Sequence, residues 1–169
     1  MLQIELSTEP EWRDIADWQK LGEQAAGAAL SVTPYAELAQ KNFALEVSIK
    51  LSNNDEVRQL NAAYRGKDKS TNVLSFPLVA RDLLGSLSNS DDGEVLLGDI
   101  IMAHDVCEKE AKEKGIPMVN HASHLLVHGV LHLLGYDHEI ETDALIMEAL
   151  EVKALQDLGI ANPYADEHL

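Results

Sequence analysis

Apolar and polar residues alternate over residues 2–6, the pattern of a short half-buried strand, and Ser7-Thr8-Glu9-Pro10 then offers a cap and a proline suited to a first helical turn. The pattern predicts a helix from 11 to about 30. Residues 43–51 alternate cleanly and predict a second strand. Asn53 or Asn54 caps a helix from 55 to about 64, whose first turn carries acids. The β-rich run 71–78 ends around Pro77, residues 85–93 are polar and turn-rich, and 94–102 predicts a further strand. Residues 81–94 are accordingly expected to form an exposed loop. Helices are predicted over 105–114, 119–134 and 142–158, with Gly115, Gly135 and Gly159 placed as C-caps. Strands mixed with helices, then followed by them, imply an α+β (α/β layered) fold. The expectation is a single domain, residues 1–169, with one mixed sheet packed against helices. Strand order is not readable from the pattern.

Composition narrows the class. A chain of 169 residues, 46% of them hydrophobic, buries a real core without help from disulfides, and its one cysteine, Cys107, has no internal partner. The first residues carry no basic leader, and no apolar run approaches a membrane span of ~18 residues, so a cytoplasmic protein without membrane partners is expected. A formal charge of -16, from 13 Lys+Arg against 29 Asp+Glu, argues against a generic nucleic-acid binder, because that affinity comes from cations neutralising phosphates. The charge is uneven, however. Residues 57–81 hold Arg58, Arg65, Lys67, Lys69 and Arg81 against Asp68 alone, a local +4, whereas Lys153 is the one base from Asp137 onward. Such an island also arises as an ordinary solvated face.

Five of the seven histidines lie between His121 and His138. At ~100° per residue, His121, His124, His128 and His132 fall within about 80° of one helix face. Residues at i and i+4 sit one above the other, so His128 and His132 can reach one divalent ion. His124 and His132 are ~12 Å apart along the axis, too far to share it. A third ligand must come from a chain reversal, which Gly135 allows, and His138 follows on the returning chain. The predicted ligands are His128, His132 and His138. The pair His124 and His128 has the same spacing but no equally placed turn and third ligand, and it stays open as the competing arrangement. His121 and His124 are otherwise expected to line the site or to bond backbone groups.

Three protein ligands leave a fourth position for water, the pattern of catalytic zinc sites, and hydrolysis is the natural reaction class. Residues 132–138 match the second half of the long zinc-protease motif H-E-x-x-H-x-x-G-x-x-H, but Gly129 stands where that motif places its glutamate base. A peptidase is therefore disfavoured.

The stretch His128-Gly129-Val130-Leu131-His132-Leu133-Leu134-Gly135-Tyr136-Asp137-His138 closely resembles the signature of the YbeY family of bacterial endoribonucleases, or rRNA maturation factors. Leu60-Asn61-Ala62-Ala63-Tyr64-Arg65-Gly66-Lys67-Asp68-Lys69-Ser70-Thr71-Asn72-Val73-Leu74-Ser75-Phe76-Pro77 resembles its other long motif, and Leu97-Gly98-Asp99-Ile100 a third. The resemblance runs from about Leu45 to Tyr164. It implies one metal ion, usually zinc, on His128, His132 and His138, and an arginine needed for activity, here Arg65. It also implies single-strand-specific cleavage of RNA in 16S rRNA 3′-end maturation and ribosome quality control, with the small ribosomal subunit and its proteins as partners and no role on DNA.

Charge and geometry give these residues compatible roles. The Arg65 guanidinium suits bidentate phosphate binding and charge stabilisation at phosphorus, against the alternative of a structural ion pair. Lys67 and Lys69 suit guidance of an RNA backbone. Ser75 and Phe76 are expected near the cleft, with Phe76 either stacking a base or buried, and Asp137 either bonds a ligating imidazole or caps the next helix. Attack by water and attack by the RNA 2′-hydroxyl both remain open, as does the general base. Two other classes stay in view: a non-catalytic ribosome-assembly factor with a structural metal site, and a metallohydrolase of peptides or small molecules. Asp99 and Cys107 are left outside the site.

Overall fold

The computed structural model describes residues 1–87 and 93–165. Strands β1 (Leu2–Thr8), β2 (Ala44–Ser52), β3 (Val73–Pro77) and β4 (Glu94–Ala103) form one mixed sheet in the order β1-β2-β4-β3. β1, β2 and β4 run parallel, and β3 lies antiparallel to β4 on the edge, with Ser75 opposite Ile100. The alternation read in β2 is that of burial: Leu45, Val47, Ile49 and Leu51 face the core.

Helices α1 (Trp18–Ser31), α5 (Met118–Leu133) and α6 (Glu141–Asp157) share the main core with that face. α5 runs through the centre and is buried over most of its length. On the other face α2 (Asn54–Arg65) packs Val57 and Leu60 against Leu74, Phe76, Ile101 and Ala103, and α4 (His104–Lys114) bridges α2 and α5. This second core seats α2 so that its C-terminal residue, Arg65, reaches the edge of the sheet.

Two expectations need correction. The first helix begins at Trp18 rather than 11, because two indole N–H groups must find acceptors inside the core. Trp12 is fully buried in a 3₁₀ turn (Pro10–Trp12) and donates to the Ser52 carbonyl at 2.7 Å, and Trp18 donates to the Trp12 carbonyl at 2.6 Å. A straight helix could not make both bonds. The chain instead turns at Asp14 (φ 64°), and Asp17 restarts it as an N-cap accepting from the Lys20 amide.

The second correction concerns the loop expected over 81–94. Arg81–Leu84 forms a short helix, α3, with Leu84 buried, while residues 88–92 of that loop lie outside the described residues. A 3₁₀ turn at Ala36–Gln40, seating Leu38 in the core, has no counterpart in the predicted elements. No helix among the described residues is long and apolar enough to cross a membrane.

Candidate metal centre and cleft

His128 and His132 project from the last turns of α5. The helix ends in a glycine turn: Gly135 adopts φ 93°, its amide donates to the His132 carbonyl at 2.9 Å, and the Tyr136 amide donates to the Leu131 carbonyl at 3.0 Å. This reversal brings His138 back to the helix, and Asp137 stiffens it by accepting the His138 amide at 2.7 Å. Asp137 thus holds the turn, and the N-cap of α6 is Ile140. Arg81 clamps the same turn from outside, its guanidinium 4.7 Å from the centre of the Tyr136 ring.

The three imidazoles converge, with one nitrogen from each lying within 4.8 Å of the others. Nε2 of His128 and Nε2 of His132 are 3.1 Å apart. A tetrahedral ion with bonds of 2.0–2.1 Å separates its ligand nitrogens by ~3.3 Å, so the spacing fits one ion held between them. The cluster could therefore hold a metal. His132 is kept neutral, its pKa lowered to about 4 by burial and then by the neighbouring His128 and His138. A neutral imidazole presents the lone pair that a metal needs.

That shift has a consequence for stability. The folded His132 pKa lies below the ordinary 6.5, so between those values the unfolded chain binds the extra proton and acid favours unfolding. His121, lowered by burial, acts in the same direction. The metal-free protein should lose about 2 kcal/mol from His132 between pH 7 and pH 5. Denaturant midpoints measured in chelator at both pH values check this, and equal midpoints would contradict it.

Behind the cluster sit side chains that the sequence did not reveal as a unit. Glu151 of α6 is 1% exposed, and its Oε1 lies 2.7 Å from His124 Nε2 and 3.2 Å from His128 Nδ1. The Tyr164 hydroxyl donates to the same carboxylate at 2.9 Å. Burial works to raise the Glu151 pKa, but hydrogen bonds from His124 and His128 outweigh it and hold the carboxyl at about 2. His121 similarly bonds Glu110 at 2.9 Å. The two upstream histidines thus bond carboxylates rather than backbone groups. Cys107 is buried beneath this region, its thiol pKa pushed well up by burial.

The cluster opens into a cleft of about 550 Å³. Arg65, Lys67 and Lys69 line one side, and Val73, Ser75 and Pro77 of β3 lie along it. Strand alternation sends Phe76 to the opposite face, into the second core, so it does not line the cleft. Asp68, the one acid of the basic window, is engaged by Arg58 in a two-pronged pair at 2.8 and 3.1 Å. Among the described residues Arg65, Lys67 and Lys69 have no ion-pair partner, which disposes of the salt-bridge alternative for Arg65. The acids lining the cleft are Asp137 and Glu139.

Three imidazoles converging on a cationic cleft, beside a sheet edge, define the architecture of a metal-dependent hydrolase. The chain belongs to the YbeY endoribonuclease family, whose model, described as Endoribonuclease YbeY, matches residues 7–159. It is 54% identical over 167 residues to Endoribonuclease YbeY of Sphingopyxis alaskensis, covering 99% of each chain. It is also 54% identical to that of Rhizorhabdus wittichii over 98% of each, and 46% identical to that of Zymomonas mobilis over 98% of this chain and 94% of the other. The solution structure of TM1509 from Thermotoga maritima shares the fold, with a TM-score of 0.55 at 22% identity over 93% of this chain and 92% of that one.

Proposed function

We propose that this chain is a single-domain, metal-dependent endoribonuclease that cleaves single-stranded RNA, acting in 16S rRNA 3′-end maturation and ribosome quality control. The observation that carries the reading is the junction of two features in one cleft: the His128, His132 and His138 nitrogens, and the unpaired cations Arg65, Lys67 and Lys69. The family's curated relatives bear the name endoribonuclease.

His128, His132 and His138 are the residues that would hold the ion. Zn²⁺ is the proposed metal, since three imidazoles suit its borderline softness and tetrahedral habit, with another divalent ion as the substitute. When bound it supplies Lewis acidity toward a phosphodiester oxygen. Arg65 binds that phosphate through its planar fork and stabilises the charge that grows on its oxygens. Lys67 and Lys69, in the loop that follows α2, neutralise flanking phosphates. The pre-rRNA of the small subunit is the proposed substrate, the subunit and its proteins the proposed partners, and the cytoplasm the proposed compartment.

The test is cleavage of a single-stranded RNA by Zn²⁺-loaded protein, beside the same RNA annealed to its complement and beside a single-stranded DNA of the same sequence. Only the single-stranded RNA should be cut, and chelator should stop the reaction. Products ending in 2′,3′-cyclic phosphate identify attack by the RNA 2′-hydroxyl, and other ends identify attack by water. An inert RNA alongside a cleaved peptide or ester would overturn the assignment. Three cations set the electrostatics, so log affinity should fall with log salt at a slope of about -2, from ~0.7 per phosphate on a single strand. A slope twice as steep would mean a wider cationic surface than this cleft.

A further inference from the structure

His128 meets His132 through Nε2, so its other nitrogen, Nδ1, points away from the cleft and onto Glu151 at 3.2 Å. That carboxylate is almost fully buried, and besides His128 its hydrogen-bond partners among the described residues are His124 Nε2 at 2.7 Å and the Tyr164 hydroxyl at 2.9 and 3.1 Å from its two oxygens. Tyr164 also lies 3.1 Å from His124 Nε2, closing the group into a ring of contacts. Among the described residues its ion-pair partners are His124 and His128, with no lysine or arginine among them. A carboxylate buried without a permanent cation is costly, and its placement on the outer nitrogen of a converging imidazole points to a metal-related role.

We infer that Glu151 is the positioning residue of the metal centre. It accepts the Nδ1–H of His128, which fixes the tautomer that leaves the Nε2 lone pair directed at the ion. It also sets a negative charge one imidazole away from the bound cation. Tyr164, in the chain that follows α6, and His124 hold the carboxylate in place, so the C-terminal segment takes part in metal affinity without touching the metal. His124 Nε2 is thereby engaged by Glu151, while the converging trio is His128, His132 and His138. This inference rests on the reading of His128, His132 and His138 as metal ligands.

The experiment measures Zn²⁺ affinity of the metal-free protein by competition with a chromogenic chelator, for wild type, Glu151→Gln, Glu151→Ala and Tyr164→Phe. Glu151→Gln keeps the side-chain shape, and affinity should fall by ~10–100-fold. Tyr164→Phe keeps the carboxylate and loses one of its donors, and a smaller fall is expected, with metal-free melting close to wild type. Nitrogen NMR of the metal-free protein should find His128 protonated at Nδ1 in wild type and redistributed in Glu151→Ala. If Glu151→Ala does not fold, the wild-type tautomer and the Tyr164→Phe affinity decide the matter. Variant affinities within about twofold of wild type, or a wild-type His128 protonated at Nε2, would overturn the inference alone. A wild type that binds no Zn²⁺ would overturn the metal reading, and the inference with it.

Discussion

His132→Ala is expected to reduce cleavage of single-stranded RNA by at least ~10³-fold, because Lewis-acid stabilisation is worth several kcal/mol and each 1.36 kcal/mol is a decade in rate. His132 is the ligand whose removal is cleanest to interpret. It is the middle imidazole, its Nε2 is 3.1 Å from that of His128, and burial already keeps it neutral. Alanine should leave the metal-free fold in place, and metal content per chain should fall in step with activity. Arg65→Ala separates the other half of the site. Arg65 is exposed and unpaired among the described residues, so its loss should spare both stability and metal content while costing ~10²–10³-fold in rate. Arg65→Lys should recover part of this at most, since lysine offers a point charge in place of a fork. Single-turnover cleavage with metal analysis on the same preparations reads all three. Equal rates in folded His132→Ala, Arg65→Ala and wild type would remove the catalytic assignment and assign the activity to a contaminant.

Gly129→Glu, which restores the glutamate of the zinc-protease motif, is expected to cripple folding rather than create a peptidase. Gly129 is where α5 rests directly on the sheet. A Cβ there would meet the Ile100 Cδ1 atom at 3.0 Å, Ser75 Oγ at 3.2 Å and Ile100 Cγ1 at 3.3 Å. The rest of a glutamate side chain would be forced between helix and sheet, adding overpacking to the burial of an unpaired carboxylate. A loss of ~4 kcal/mol or more is expected, which for a chain of this size lowers the melting temperature by ~10 °C or more. Gly129→Ala is the control. It gains about 1 kcal/mol of helix propensity, which offsets the small displacement asked of the Ile100 side chain. A Gly129→Glu protein that melted with wild type would show that α5 can lift off the sheet, and the proposed reason for the missing base would fail.

The departure of this chain from the protease motif therefore has a steric cause. In that motif the residue after the first ligand is the glutamate that serves as base. Here the same position faces Ile100 and Ser75.

What the sequence determined by itself was whatever depends on spacing within a turn or two of chain. The i, i+4 offset of His128 and His132, the left-handed turn at Gly135 and the return at His138 are local geometry, and the structure assembles them as the spacing predicts. The α+β class and most element boundaries were legible for the same reason, since periodicity reports which face a neighbour will cover. Tertiary structure alone decided the sheet order, the break that lets Trp12 and Trp18 reach their acceptors, and the removal of Phe76 to the far face. It also decided the fate of individual charges. Asp68 is taken by Arg58, which leaves Arg65 unpaired among the described residues, and Glu151 of α6 is brought into contact with residues 23 and 27 positions away. A carboxylate on a helix carries no local mark of whether it will face water or a histidine. That depends on which elements the hydrophobic cores bring together, and so the converging histidines were visible in the sequence while the Glu151 and Tyr164 contacts behind them were not.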